Sequence, residues 1–153
     1  MKTRILLQLL FCSFSILILA SFAIPEQVHV SGNVAWTKTS YVINVGDRLE
    51  IISNGEISPL ANLNCNPSGI ANLNLQKKFS VLKSENFGCL IGRIGENGKS
   101  FVVGEHLNII ADSNGIIYLG INDSDLKDNK GEFRSSVIII VKSQESTTDS
   151  ISN

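Results

Sequence analysis

Oxygen-bearing side chains are concentrated in one short segment of the chain. It holds three carboxylates and two carboxamides, in the order Asn122, Asp123, Asp125, Asp128 and Asn129. Carboxylate and amide oxygens are the hard ligands that Ca²⁺ prefers in proteins. The segment therefore predicts a calcium site, for which the rest of the chain is largely a scaffold. The alternative is a polar hairpin turn whose acids are solvated.

Apolar runs on both sides of this segment predict the strands that position it, 115–121 before it and 133–142 after a turn at Gly131. Asn54-Gly55 is a strong turn signal, and the stretch 54–88 is expected to be a functional loop or to hold short elements of its own. The other expected strands are 27–31, 35–39, 41–45, 48–53, 90–94, 100–103 and 107–111. No window sustains a helical period. The predicted fold class is all-β, a single antiparallel jelly-roll-like β-sandwich.

The first residues have the pattern of a targeting signal. A basic start is followed by an apolar run, and Ser21-Phe22-Ala23 supplies the small residues of a cleavage site. We expect 1–23 to be a signal peptide, 24–142 to be the sandwich and 143–153 to be a disordered polar tail. The mature protein would be secreted or periplasmic. An uncleaved anchor is the alternative.

The charge of the expected mature chain excludes some function classes. Removing the leader takes Lys2 and Arg4 from the 13 basic residues, which leaves 11 against 14 acidic residues and a formal charge of −3. A mildly acidic surface argues against nucleic acid, because that binding rests on basic residues. The mature chain has no second apolar stretch of spanning length and no Gly-x-Ser-x-Gly motif. We expect no membrane span and no enzyme activity, and homo-oligomerisation stays open.

Two cysteines, Cys65 and Cys89, remain in the expected mature chain. An even count in an oxidising compartment favours a disulfide, which would stabilise the fold by roughly 3 kcal/mol. Two separate buried thiols are the alternative. His29 and His106 are distant from them in sequence, so no zinc site is expected and surface or edge positions suit both histidines.

A series of short motifs, in order and with consistent spacing, resembles the PA-I type galactophilic lectin domains. The motifs are Trp36-Thr37-x-Thr39, Val45-Gly46-Asp47-x-Leu49-x-Ile51, Gly55, Cys89-Leu-Ile-Gly-Arg-Ile-Gly95, Phe101-x-Val-Gly104, Tyr118-Leu-Gly-Ile-Asn-Asp123 and Asp128-Asn-x-Gly-x-Phe133. The likeness covers about residues 26–142. It implies a galactose-binding-domain-like sandwich that binds sugar through a calcium ion.

The resemblance also implies a role for each residue of the acidic segment. Asp123 matches the family's first acidic ligand, Asp128 and Asn129 match its paired ligands, and Asp125 is expected to give a backbone carbonyl. A further carbonyl would come from near Ser58 or Pro59. Two vicinal sugar hydroxyls would coordinate the calcium, and the side chains of Asp123, Asp128 and Asn129 would also bind the sugar.

The resemblance thus predicts a secreted, calcium-dependent lectin for galactosides or related glycoconjugates. Galactose-binding members also hold the sugar with a His and a Gln from the long loop, whereas residues 54–88 contain no histidine, and the loop 123–128 is shorter here. The alternative is a non-catalytic structural or interaction module that has lost sugar binding.

Overall fold

The computed structural model describes residues 26–73 and 78–143, which form nine β-strands and no α-helix. The strands are β1 (Gln27–Ser31), β2 (Thr37–Ile43), β3 (Arg48–Leu60), β4 (Leu63–Cys65), β5 (Leu90–Ile94), β6 (Phe101–Val102), β7 (His106–Ile110), β8 (Gly115–Ile121) and β9 (Lys130–Ile140). The predictions for β1, β5 and β8 are confirmed to the residue. β2 replaces two expected strands, and β4 was not predicted.

The strands form two antiparallel sheets. Sheet A has the order β1-β9-β3-β4, and β7 also pairs with β3; sheet B has the order β2-β8-β5-β6. β7 pairs with the first part of β3 and β4 with its last part, so the two short strands share one side of the long one. The predicted all-β antiparallel sandwich is confirmed.

Alternation along the strands builds the core between the sheets. Leu49, Ile51 and Ile57 of β3 are at most 1% exposed, and Leu119 of β8 and Phe133 of β9 are fully buried. Burying a side chain of this size contributes about 1.5–3 kcal/mol to stability. The alternation that predicted the strands therefore also places apolar side chains between the two sheets, where their burial stabilises the sandwich.

The turn predicted at Asn54-Gly55 is wrong, because β3 continues through it to Leu60. Gly55 has a φ of +100° and pairs with Phe133 of β9. A Cβ added at Gly55 would lie 2.6 Å from the carbonyl oxygen of Glu132. The glycine therefore allows a close approach of β3 and β9 within a continuous ladder, and it does not reverse the chain.

The turn predicted at Gly131 is also wrong, because β9 begins at Lys130. Gly131 pairs with Ile57 and has a φ of +81°. A Cβ there would collide with the carbonyl oxygen of Glu56 and lie 3.1 Å from Cα of Ile57. The two glycines thus bring β3 and β9 together at the end of the sandwich where the acidic segment lies.

The stretch 54–88 holds short elements of its own, which is one of the two alternatives expected from the sequence. Its first part is the end of β3, followed by the two-residue turn Ala61-Asn62 and by β4. Asn62 has a φ of 65°, the left-handed conformation that asparagine tolerates. Near its end, Ile70 and Phe87 form an isolated β-bridge.

The predicted disulfide is absent, because Cys65 and Cys89 are both free and buried. Cys65 Sγ lies 3.8 Å from the carbonyl oxygen of Gly88, a weak hydrogen bond that uses its proton. Burial raises the pKa of each thiol to about 12. The alternative of two buried thiols is the one that the structure has.

The predicted signal peptide 1–23 lies outside the described residues, as does the tail from 144 onward. The predicted tail residue Ser143 and the last residues of 24–142 follow β9 without regular structure. No helix of the described part of the chain is long and apolar enough to cross a membrane.

Candidate metal and ligand site

The acidic segment connects the two sheets at one end of the sandwich. β8 of sheet B ends at Ile121, and β9 of sheet A begins at Lys130. Hydrogen bonds to other parts of the chain hold the backbone of the acidic segment: the Asn122 N–H donates to Cys89 O at 2.8 Å, and the Ser124 N–H donates to Phe79 O. The segment is therefore an ordered crossing and not a free hairpin tip.

Asn122 has a structural role. Its side chain is fully buried, accepts a hydrogen bond from the Leu82 N–H at 2.7 Å and donates to the carbonyls of Leu82 (3.1 Å) and Asn86 (2.9 Å). These three bonds use both ends of the amide, so its oxygen already has a donor. Asn122 thus holds residues 82–86 over the end of β8, and the candidate ligands are the residues that follow it, from Asp123 to Asn129.

Asp123 and Asn129 are the buried members of the segment, with 4% and 5% of their surface exposed. Asp123 Oδ1 accepts a hydrogen bond from the Asp125 N–H at 2.9 Å, and Asn129 Nδ2 donates to Gly32 O at 3.0 Å. The second carboxylate oxygen of Asp123, Oδ2, and the amide oxygen of Asn129, Oδ1, are buried and have no hydrogen-bond partner. An unsatisfied buried acceptor costs about 1–3 kcal/mol, so each oxygen is suited to a bound cation or donor.

Asp123, Asp125 and Asp128 line one cavity of about 140 Å³. Its other walls come from distant parts of the chain: Pro59 and Leu60 at the end of β3, and the rings of Phe79 and Phe87. The fold therefore brings the acidic segment beside the end of β3, where the resemblance expects a carbonyl ligand. Asp125 and Asp128 are exposed.

Burial is the main influence on the Asp123 carboxyl and raises its pKa. The Asp125 N–H and the Asn129 side chain act in the opposite direction, and the carboxylates of Asp128 and Asp125 raise the pKa further. Among the described residues no salt bridge joins Lys127 or Lys130 to these acids. The negative charge is therefore not neutralised by the neighbouring lysines.

The donor set fits a hard cation bound partly through amide and backbone oxygens. In the described parts of the chain, no three His, Cys, Asp or Glu side chains are grouped to hold a metal ion by themselves. A calcium here would need Asp123 Oδ2, Asn129 Oδ1, carbonyl oxygens and the Asp128 carboxylate that the resemblance implies, in line with the mixed oxygen shell that calcium accepts.

Sequence reasoning did not identify Leu60, Phe79 and Phe87 as walls of this cavity. Leu60 is the last residue of β3, and Phe79 and Phe87 lie in the connection between β4 and β5; no local motif marks them. The two histidines lie far from it on the exposed edge strands of sheet A, as expected. His29 Nδ1 is 3.2 Å from Glu132, and His106 Nε2 is 3.0 Å from Glu50.

A comparison with solved structures finds the same fold in a chain described as "EclA N-terminal domain; PllA-like lectin". The match has a TM-score of 0.58 and 22% sequence identity, and it covers 74% of this chain and 94% of that chain. The chain has the fold of that lectin domain. No family model and no curated protein matches the sequence. The sandwich expected from the resemblance to galactophilic lectins is therefore supported by an independent comparison of structure.

Proposed function

We propose that this chain is a calcium-dependent carbohydrate-binding domain whose first candidate ligands are galactose-type sugars. The observation that carries the proposal is the pair of buried, unpartnered oxygens, Asp123 Oδ2 and Asn129 Oδ1, beside a small acid-lined cavity. The shared fold with a chain described as a lectin supports the same conclusion. A bound calcium would supply open coordination positions for two vicinal sugar hydroxyls.

Different residues of the site would bind the calcium ion and the sugar hydroxyls. Asp123 Oδ1 accepts a hydrogen bond from the Asp125 N–H and Asn129 Nδ2 donates to Gly32 O, so Asp123 Oδ2 and Asn129 Oδ1 are held in place for the ion. Asp128 is exposed at the mouth of the cavity and can accept hydrogen bonds from sugar hydroxyls. Such a preformed arrangement reduces the entropy that binding costs.

Calorimetry on the purified protein tests the proposal. We expect calcium to bind first, and methyl galactoside to bind in calcium but not in excess chelator. Calcium at 100 times its dissociation constant should stabilise the fold by about 2.7 kcal/mol. Calcium binding without any sugar binding would favour the structural or interaction module. Sugar binding that survives the chelator would contradict the calcium mechanism.

Calcium binding should weaken as the pH falls. The Asp123 carboxyl must be ionised to hold the ion, and its pKa is raised in the metal-free protein. Each pH unit below that pKa should therefore cost about tenfold in calcium affinity. We would measure the calcium dissociation constant from about pH 7 to about pH 4; an affinity that is constant over this range would contradict the role of Asp123.

In the metal-free protein, the Asp123 carboxyl should lower the folding stability as the pH rises, which is opposite to its effect on calcium affinity. A carboxyl whose folded-state pKa is raised contributes stability below its unfolded pKa, and the contribution is lost as the pH rises through the folded pKa. Asp47 acts the other way: the Lys142 N–H and the Asn44 N–H lower its pKa, so its contribution is lost as the pH falls. The difference between the wild type and Asp123→Asn isolates the Asp123 component.

A further inference from the structure

A larger groove adjoins the acid-lined cavity. It has a volume of about 530 Å³ and shares Asp128 with the cavity as a common wall. Ligand pockets commonly measure roughly 300–1,000 Å³, so the groove has the size of a ligand site. The cavity, at about 140 Å³, is smaller than this range. A ligand bound at Asp123 would therefore have the groove as the adjacent space into which it could extend.

The floor of the groove is the outer face of sheet A where β3, β4 and β9 meet. Ser58 of β3 pairs with Lys130 of β9, and Glu56 precedes Ser58 by one period of the strand. The inward residue between them, Ile57, is 1% exposed and belongs to the core. The floor is therefore fixed by the same ladder and core contacts that hold the sandwich together.

The polar groups of the floor are held in place and keep capacity for a ligand. Asn64 Nδ2 donates to Glu56 Oε1 at 2.8 Å, which orients both side chains. Ser58 Oγ donates to the carbonyl oxygen of Leu60 at 3.0 Å. Within the described residues Lys130 makes no salt bridge, and Asn64 Oδ1 and Glu56 Oε2 have no hydrogen bond. The groove thus offers both donors and acceptors.

The chemistry of the lining indicates the class of ligand. The turn at Ala61 and Asn62 forms one wall, and none of the described aromatic side chains lines the groove. The lining combines one ammonium, carboxylates and amides with apolar surface from residues such as Ile57 and Ala61, and this mixture suits a neutral sugar ring, which presents both hydroxyls and C–H faces. Sugar hydroxyls both donate and accept hydrogen bonds, and they match such a mixed surface.

We propose that the groove is a second sugar subsite, so that the ligand of this protein is at least a disaccharide. One residue binds at the acid-lined cavity, and the next neutral residue lies over Glu56, Asn64 and Lys130. The proposal rests on the proposed function, because the first residue must be held at the cavity. It adds that the glycan has at least two sugar residues, and that Glu56, Asn64 and Lys130 contact the second one.

Calorimetry in saturating calcium tests the second subsite by comparing lactose with methyl β-galactoside and melibiose with methyl α-galactoside. We expect at least one disaccharide to bind about fivefold or more tightly than the methyl galactoside of the same anomer, a gain of about 1 kcal/mol. Asn64→Ala and Glu56→Gln should remove most of this gain. Asn108→Ala, on the exposed outer face of β7, is the matched control and should keep it.

The outcomes separate the two proposals. If neither methyl galactoside binds in calcium, the proposed function fails for galactose. If either binds and neither disaccharide binds more tightly than the methyl galactoside of the same anomer, the second subsite is overturned while the function stands. A gain that survives both Asn64→Ala and Glu56→Gln would also overturn it, because the second residue would then lie elsewhere. Thermal unfolding of each variant verifies that it is folded.

Discussion

Asp123→Asn should abolish calcium-dependent sugar binding and leave the fold intact. The substitution keeps the shape of the side chain and the Oδ1 that accepts the Asp125 N–H, and it replaces the buried, unpartnered Oδ2. Loss of an outer partner of a metal ligand already costs 10–100-fold in metal affinity. Removal of a charged ligand should therefore weaken calcium binding by more than about 100-fold, as measured by calorimetry.

The stability of the same variant gives an independent test of this interpretation. Burial raises the pKa of Asp123, so its negative charge is unfavourable in the metal-free fold. In chelator at neutral pH, Asp123→Asn should be as stable as the wild type or more stable. In saturating calcium the order should reverse, because the wild type gains the binding free energy of the ion.

Asp112→Asn is the control for a general charge effect. Asp112 is exposed in the turn after β7, and its Oδ1 accepts a hydrogen bond from Ser113 at 3.0 Å. Asp112→Asn removes the same charge far from the site, so calcium and sugar affinities should stay within about twofold of the wild type. Undiminished calcium-dependent sugar binding by Asp123→Asn would refute the proposed site.

The fold was largely predictable from strand alternation, because several strands bury one face more than the other. β3 illustrates this, since Leu49 and Ile51 are buried whereas Arg48 and Ile52 are exposed. Both wrongly predicted turns are at glycines. Asn54-Gly55 has the composition of a turn, but the property that decides its role is a close cross-strand contact, which a local pattern cannot show.

The candidate site was predictable only in part, for a similar reason. The ligands offered by one segment are visible in the sequence, whereas the opposite wall at Pro59, Phe79 and Phe87 is assembled by long-range folding. Asn122 shows the converse. Its residue type suits a metal ligand, yet its amide is used entirely by hydrogen bonds to Leu82 and Asn86.

Gly131→Ala should have the largest effect on stability, a loss of about 3 kcal/mol or more in the free energy of unfolding. Two costs combine. The φ of +81° is strained for alanine, and the new Cβ would collide with the backbone carbonyl of Glu56, which cannot move without breaking the β3–β9 ladder. Urea unfolding measures the change.

Gly95→Ala separates these two costs. Gly95 has nearly the same φ, +83°, but a Cβ there would have nothing within 4 Å. It should lose only the strain of the left-handed conformation, about 1–2 kcal/mol. The excess loss in Gly131→Ala is then the cost of separating β3 from β9.

The same separation of β3 and β9 should also weaken calcium binding, because Gly131 follows Asn129 by two residues and pairs with Ile57 beside the groove. Gly95→Ala should leave calcium binding unchanged. Equal stability losses for the two variants would show that the close approach of the strands contributes nothing, and that the backbone at the site adapts freely.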